Sequence, residues 1–275
     1  MNTPDIAVHD LGGTGPLTLY AHATGFHAHV WKPITDRLAR LHNVAYDARG
    51  HGESISDPGW IVDWTVHGAD AADVVGDLAV TEGPMLGVGH SMGGAALIMA
   101  ALASPQSFRG LVVYEPIVTA PDAVPPGGTD GNSLATGARK RRSTFDSFDA
   151  AIANFSAKPP LNVFTPEALE QYVRHGFAEG EDGHVHLRCR PEHEARTYEA
   201  GGNHRTWERL GDLTVPVWVV CGLPQEMQPS ARTKALAERI PDVRYIQLDH
   251  LGHFGPMQAP DEIAAIVAEA AATFS

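Results

Sequence analysis

Residues 85–94 read Met85-Leu86-Gly87-Val88-Gly89-His90-Ser91-Met92-Gly93-Gly94. The first four residues form an apolar run typical of a buried strand, and residues 95–104 consist mostly of strong helix formers. Ser91 therefore lies on a turn between a predicted strand and a predicted helix. The pattern G-x-S-x-G suits such a turn, because the serine backbone is strained and the helix packs closely on the strand. It predicts that Ser91 is a nucleophile presented at a helix N-terminus.

Apolar runs of strand length alternate along the chain with stretches that suit helices. The other predicted strands cover residues 17–21, 43–46, 110–114, 215–220 and 243–248. The predicted helices of this alternation cover residues 34–41, 68–80, 95–104, 230–240 and 261–272. Strands that alternate with helices pair in parallel, because each helix crosses over the sheet. The sequence therefore predicts an α/β fold with a mostly parallel central sheet and helices on both of its faces.

The regular alternation is interrupted in the second third of the chain. Residues 121–128 have the proline and glycine content of a loop, and helices are predicted after it over residues 148–155 and 166–177. Ser147 and Thr165 precede these helices as N-cap residues. We predict one core domain with a mainly helical cap or lid insertion. The predicted core covers residues 1–118 and 212–275, and the predicted insertion covers residues 119–211.

The composition restricts the partners of this 275-residue chain. Its 33 Asp and Glu residues against 20 Lys and Arg residues give a formal net charge of −13, which argues against nucleic acid or an anionic membrane as a partner. Cys189 and Cys221 form no C-x-x-C motif, and the 15 histidines show no metal-ligand spacing, so no disulfide framework or metal site is predicted. No apolar run approaches the ~20 residues of a membrane span, and no secretory signal is visible. We expect a cytoplasmic protein with a small-molecule substrate, and a homodimer is compatible with the sequence.

Three further segments after predicted strands carry candidate functional residues. Leu251-Gly252-His253-Phe254-Gly255-Pro256 follows the last strand, and the glycines beside His253 leave its ring room to approach a substrate. His253 is the candidate catalytic base, and His250, nearer to the strand, is the competing candidate. His22 is expected to hydrogen-bond its own loop rather than to act in catalysis. Arg49 is expected to tie loops together, because no Gly-Lys-Ser/Thr sequence marks a phosphate loop.

Four segments of the chain together resemble the α/β-hydrolase fold superfamily. They are His22-Ala23-Thr24-Gly25-Phe26, Asp47-Ala48-Arg49-Gly50-His51-Gly52-Glu53-Ser54, Gly89-His90-Ser91-Met92-Gly93-Gly94 and Gly252-His253-Phe254. The resemblance spans nearly the whole chain and places the insertion where that family carries its cap. It implies a Ser-acid-His triad with Ser91 and His253, no cofactor, and an oxyanion hole formed by the backbone N–H groups of Thr24 and Met92.

The acid of the implied triad is the point at which this chain departs from the family. Members usually carry an aspartate about three residues after the glycine that ends the penultimate strand, but here that position is Gln225, whose amide cannot compensate an imidazolium. The candidates are Glu226, one position away, and Glu115, at the end of the strand after the Ser91 helix. We favour Glu115, because the carboxyl end of a strand is where such a sheet presents catalytic groups. Pro116 is expected to hold Glu115 in extended geometry.

The residues favour a serine hydrolase that cleaves a carboxylic ester, a lactone or a thioester. A cofactor-free haloperoxidase or perhydrolase and a C–C bond hydrolase are alternatives on the same triad, and a non-catalytic small-molecule receptor is the alternative outside enzymes. Ser91 disfavours the dehalogenases and epoxide hydrolases of this fold, because these use an aspartate nucleophile. The basic run Arg139-Lys140-Arg141-Arg142 is expected to be a solvated face of the lid, with recognition of an anionic substrate as the alternative.

Overall fold

A computed structural model describes residues 6–121, 132–201 and 204–274, so the loop expected at residues 121–128 lies outside the described residues except for Pro121. The strands are β1 (Val8–Gly12), β2 (Leu17–Ala21), β3 (His42–Tyr46), β4 (Met85–His90), β5 (Phe108–Tyr114), β6 (Thr144–Phe145), β7 (Phe177–Glu179), β8 (Val185–Leu187), β9 (Val217–Gly222) and β10 (Val243–Leu248). The helices are α1 (Lys32–Thr35), α2 (Trp64–Glu82), α3 (Met92–Ala103), α4 (Ser133–Arg139), α5 (Phe148–Ser156), α6 (Pro166–Gly176), α7 (Pro191–Ala200), α8 (Thr206–Arg209), α9 (Ser230–Ala237), α10 (Gly255–Gln258) and α11 (Pro260–Thr273). Within these described ranges, no helix combines the length and the apolar character that crossing a membrane requires.

The central sheet contains every strand that the sequence predicts. In the described chain its seven strands lie in the order β1-β3-β2-β4-β5-β9-β10. β1 runs antiparallel to β3, and the other neighbours are parallel. The edge strand β1 is the one that sequence reasoning missed. Leu11 is its only fully buried residue, so β1 presents no apolar run.

Each face of the sheet packs against its own set of helices. Val88, Val112 and Trp218 belong to the core cluster that includes residues of α1 and α11. Leu111 and Val113, which alternate with Val112 along β5, belong to the cluster that includes residues of α2, α3 and α9. Strands buried on both faces have continuous apolar sequences, which is why these strands were visible in the sequence. The predicted fold class is therefore confirmed.

Helix α1 is shorter than predicted. The expectation of a helix over residues 34–41 is wrong after Thr35, where the chain continues in turns. Asn43 Nδ2 donates to the carbonyls of Leu38 and Leu41 at 3.1 and 2.8 Å, and the Thr14 N–H donates to the carbonyl of Ala39 at 3.0 Å. These hydrogen bonds from outside the segment satisfy carbonyls without further helical turns.

The chain between β5 and β9 forms helices α4 to α8 and a small sheet of its own. In the described residues this sheet has three antiparallel strands in the order β6-β8-β7. Ser147 and Thr165 cap α5 and α6 as predicted, since their hydroxyls accept hydrogen bonds from the N–H groups of Ala150 and Ala168. The small sheet was not expected, because strands of two or three residues are too short to show a period in sequence.

Candidate active site

Ser91 occupies the turn between β4 and α3 in a conformation that L-residues rarely adopt. Its φ and ψ are 53° and −115°. The Ser91 N–H donates to the carbonyl of Tyr114 at 3.0 Å, and the Ile117 N–H donates to the carbonyl of Ser91 at 3.2 Å. These two bonds anchor the turn to β5 and to the chain that follows it. Backbone strain that the surrounding structure maintains in this way is typical of functional positions.

Gly89 and Gly93 allow the turn to pack tightly. A Cβ on Gly93 would stand 2.3 Å from the carbonyl oxygen of Ala21 in β2, and a Cβ on Gly89 would stand 2.6 Å from the Cα of Gly94. Neither clash could be relieved by a side-chain rotation, because both partners are backbone atoms. The glycines of the G-x-S-x-G pattern are therefore required for the contact of α3 with β2 and β4.

His253 and Glu115 are in direct contact. His253 Nδ1 lies 2.7 Å from Glu115 Oε2, and Glu115 Oε1 accepts a hydrogen bond from the Gly222 N–H at 2.8 Å. Glu115 follows β5 and is 0% exposed, while His253 lies in the loop after β10. The carboxylate thus reaches across to the end of β9, next to the loop in which the family usually carries its acid.

The backbone of Glu115 differs from the expectation. Pro116 was expected to hold it in extended geometry, and this is wrong, because its φ is 42°. The Glu115 N–H donates to the carbonyl of Val220 at 2.9 Å, and the side chain accepts from Gly222. Hydrogen bonds to β9 at both ends of the residue maintain a conformation that local preference opposes.

The competing candidates for the acid and the base, Glu226 and His250, are both exposed. Glu226 is exposed in the loop between β9 and α9, beside Gln225, which is exposed as well. His250 is exposed and its Nε2 lies 2.8 Å from Glu262 Oε2. The carboxylate that contacts His253 belongs to Glu115.

Thr24 and Met92 are neighbours in the structure. Thr24 Oγ1 lies 3.4 Å from Met92 Sδ, and both residues are buried. Met92 is the first residue of α3, so its N–H has no acceptor within the helix. Thr24 lies in a tight turn in which the Phe26 N–H donates to the carbonyl of Ala23 at 3.1 Å.

His22 ties two loops together, as predicted, whereas Arg49 ties its loop to helix α2 and not to another loop. His22 Nδ1 lies 2.8 Å from the carbonyl of Ala23, and His22 Nε2 accepts from the Ala48 N–H at 2.9 Å. The ring is therefore neutral with its hydrogen on Nδ1, and burial lowers its pKa. Arg49 forms a bidentate pair with Asp70 at 2.6 and 2.9 Å.

Aromatic side chains from the chain between β5 and β9, the predicted insertion, pack against the Thr24 and His253 loops. Phe26 stacks on Phe254 with ring centroids 5.7 Å apart. Phe164 and Tyr172, both from the insertion, contact Phe26 edge to face at 5.8 and 5.5 Å. Sequence reasoning missed these two rings, because their distance along the chain from the motifs leaves no signal in spacing.

The basic run is paired within the insertion. Arg139 contacts Glu192 and Glu199, and Arg141 contacts Glu194 at 2.8 Å. Arg142 donates to the carbonyl of Thr144 at 2.8 Å and lies over the ring of Phe145. These contacts favour a structural role for the run. In the described chain no group of three or more His, Cys, Asp or Glu side chains is placed to hold a metal ion.

The chain is similar to known hydrolases in sequence and in fold. The sequence model of the alpha/beta hydrolase family matches residues 19–266. The lipase LipV of Mycobacterium tuberculosis is 34% identical over 116 residues, which are 42% of this chain and 42% of LipV, so this chain spans less than half the length of LipV. The putative carbamate hydrolase RutD of Azorhizobium caulinodans is 25% identical over 260 residues, which are 92% of this chain and 90% of RutD.

A solved structure matches the described fold over nearly the whole chain. The peroxisomal alpha-beta-hydrolase Lpx1 of Saccharomyces cerevisiae has a TM-score of 0.81 and 15% sequence identity, with 98% of this chain and 82% of Lpx1 covered. A likeness at this identity concerns the arrangement of strands and helices alone.

Proposed function

Because the chain belongs to the alpha/beta hydrolase family, we propose that it is a serine hydrolase that cleaves a carboxylic ester, a lactone or a thioester through an acyl-enzyme. The observation that carries the proposal is the 2.7 Å contact between His253 Nδ1 and the buried carboxylate of Glu115. The carboxylate accepts the Nδ1 hydrogen, so His253 Nε2 is left as the proton acceptor. Nucleophilic catalysis by a serine requires a base that a third group orients, and the contact with Glu115 supplies that orientation for His253.

The proposed reaction proceeds in two halves. Ser91 Oγ attacks the substrate carbonyl while His253 takes the hydroxyl proton and then returns it to the leaving group. In the second half, water attacks the carbonyl carbon of the acyl-enzyme while His253 takes a proton from the water. His253 then returns this proton to Ser91 Oγ as the carboxylic acid leaves. Glu115 holds the imidazole in the required tautomer and stabilises the imidazolium that forms in each half.

The proposed oxyanion hole consists of the N–H groups of Thr24 and Met92. The position of the Met92 N–H at the start of α3, where it has no acceptor within the helix, and the 3.4 Å contact between the two side chains support this assignment. Two such donors stabilise the negative oxygen of the tetrahedral intermediate, and each contributes about 2.7–4 kcal/mol in comparable sites.

We infer that the described residues between positions 119 and 211 form a lid over this site. The contacts of Phe164 and Tyr172 with Phe26 support the inference, as does the hydrogen bond from the Thr165 N–H to the carbonyl of Met257 at 2.9 Å. Aromatic rings from both the lid and the core favour an apolar group on the substrate. The similarity to a lipase and to a putative carbamate hydrolase supports hydrolysis at a carbonyl carbon.

A substrate panel with matched serine variants tests the proposal. Nitrophenyl esters, lactones, thioesters and carbamates are assayed with the wild type, Ser91→Ala and Ser107→Ala. Ser107 is the control because it is also buried but directly precedes β5, whereas Ser91 contacts Tyr114 at the other end of this strand. We expect Ser91→Ala to abolish turnover and Ser107→Ala to retain it, and a fluorophosphonate to label Ser91. Turnover that survives Ser91→Ala would contradict the proposal.

A further inference from the structure

His90 links the two loops that carry the proposed nucleophile and base. It ends β4 and directly precedes Ser91, and its Nε2 lies 2.8 Å from the main-chain carbonyl oxygen of His253. A carbonyl oxygen only accepts, so the hydrogen of this bond is on His90 Nε2. One hydrogen bond therefore joins the residue beside Ser91 to the backbone of His253.

The surroundings of His90 keep its ring neutral. The residue is 0% exposed and its ring lies among those of Phe26, Tyr114 and Phe254, at centroid distances of 6.1, 5.8 and 6.5 Å. Burial and the nearby His253 hold the pKa of His90 well below its usual range. Its Nδ1 is buried with no hydrogen-bond partner among the described residues. A neutral donor suits this place, because the His253 ring, 4.9 Å away, becomes cationic in the proposed reaction.

The other anchors of the His253 loop act at neighbouring positions. The Tyr114 hydroxyl donates to the carbonyl of Gly252 at 2.7 Å, and the Gly252 N–H donates to the side-chain oxygen of Gln258 at 3.0 Å. Glu115 holds the imidazole of His253 but not its main chain. Among the described contacts, His90 provides the hydrogen bond to the main chain of His253 itself.

We propose that His90 is a positioning residue that sets the distance between Ser91 and His253 by binding the His253 carbonyl from the strand that carries Ser91. The inference rests on the proposed function. We expect an effect on the chemical step rather than on substrate binding, because His90 is 0% exposed and so is not available to contact the substrate. A displacement of about 1 Å between reacting groups costs on the order of 10²-fold in rate.

Two neutral amides of different length test this role. The amide nitrogen of His90→Gln can reach the position of Nε2, whereas that of His90→Asn falls one bond short. We expect His90→Asn to lower kcat by about 10²-fold with KM within about twofold of the wild type, and His90→Gln to stay within about fivefold in kcat. The rate of fluorophosphonate labelling of Ser91 should change in parallel with kcat.

The control is His193→Asn, because His193 is also buried and its Nε2 lies 3.1 Å from the carbonyl of Arg49, away from the Ser91 turn. We expect this variant to lose thermal stability but to keep kcat within about twofold. Equal losses of kcat in His90→Gln and His90→Asn, or wild-type kcat in both, would overturn the role of His90 while leaving the Ser91 result intact. Loss of the Ser91 dependence would instead overturn the proposed function.

A measurement on the wild type keeps the proposal testable even where a variant does not fold. Nitrogen-15 NMR of the imidazoles distinguishes the two neutral tautomers, and we expect His90 to carry its hydrogen on Nε2 at pH 7. A hydrogen on Nδ1 would overturn the proposal, because Nε2 would then repel the carbonyl oxygen of His253.

Discussion

For Glu115, the sequence indicated the residue as the candidate acid but not its backbone conformation. The neutral Gln225 at the usual acid position and a glutamate at the end of a strand were enough to predict Glu115. The φ of 42° was not predictable, because it depends on hydrogen bonds to Val220 and Gly222, which are more than 100 residues away along the chain. The identity of the side chain was visible in the sequence, and its backbone geometry required the assembled sheet.

The two candidate acids are expected to respond very differently to neutralisation. Glu115→Gln should lower kcat by about three to four orders of magnitude, because the amide neither enforces the Nδ1 hydrogen of His253 nor stabilises its cation. Glu226→Gln, at an exposed position, should cost less than about tenfold. Both are measured as kcat on a substrate whose turnover depends on Ser91. A severe loss in Glu226→Gln with an active Glu115→Gln would reverse the assignment.

Strands and helices were predicted correctly where the sequence of the segment itself carries the signal. The strands of the parallel sheet and helices α3, α5 and α11 were visible because burial on two faces, N-caps and helix formers are local features. Helices α4 and α7 were not predicted, because α4 has only seven residues and contains a glycine, and α7 is rich in charged and polar residues. Contacts between α4 and α7, such as the pairs of Arg139 with Glu192 and Glu199, are visible only when the two helices are side by side.

One charged pair in the segment between β5 and β9 lies against the turn that carries Thr24. Glu194 of α7 is 0% exposed, and Arg141 lies 2.8 Å from it and donates to the hydroxyl of Tyr172 at 2.8 Å. A Cβ on Gly25 would stand 2.5 Å from Glu194 Oε1, so the carboxylate packs directly on the turn that carries Thr24. Burial raises the pKa of Glu194, while Arg141 opposes that shift. The segment between β5 and β9 thus contacts the Thr24 turn through an ion pair whose carboxylate is fully buried.

Removal of the cation from this pair is expected to be costly. Arg141→Met leaves a buried carboxylate without its partner and should lower the free energy of unfolding by about 3–5 kcal/mol. The control Arg139→Met removes an exposed cation and should cost at most about 1 kcal/mol. Urea unfolding measures both, and Arg141→Met with Glu194→Gln should recover part of the loss. Equal losses in the two single variants would show that Glu194 does not depend on Arg141.

Histidines that burial keeps neutral are found in several separate parts of the molecule. Burial lowers the pKa of His27 and of His67 to about 3, and that of His29 and of His193 to about 4. These residues come from the Thr24 loop, the 3₁₀ turn after it, α2 and α7. An unfolded histidine takes up a proton near pH 6.5. Between about pH 4 and 6.5 the unfolded chain therefore binds more protons than the folded chain.

This difference predicts acid lability. Stability from a lowered histidine pKa is fully present above pH 6.5 and is lost as the pH falls toward the folded value, at about 1.4 kcal/mol per pH unit and group. We expect the Tm to fall by about 10 °C or more between pH 7 and pH 4.5. Scanning calorimetry measures the profile, and His67→Phe, which removes one such group, should flatten it. A Tm that stays constant over this range would contradict the expectation.

The proposed acid, Glu115, follows β5, so the loop between β9 and α9 contains no proposed catalytic residue. The Leu223 N–H fixes the start of this loop by donating to the carbonyl of Leu251 at 2.8 Å, and Met227 further along is 87% exposed. A relative with its aspartate in this loop must preserve the loop's length, because the carboxylate has to reach the histidine. In this chain the proposed acid lies elsewhere, so residues could be inserted between Glu226 and Met227. A peptide epitope or a fluorescent label could be grafted there, and the loop could lengthen in evolution, with the hydrolytic machinery left in place.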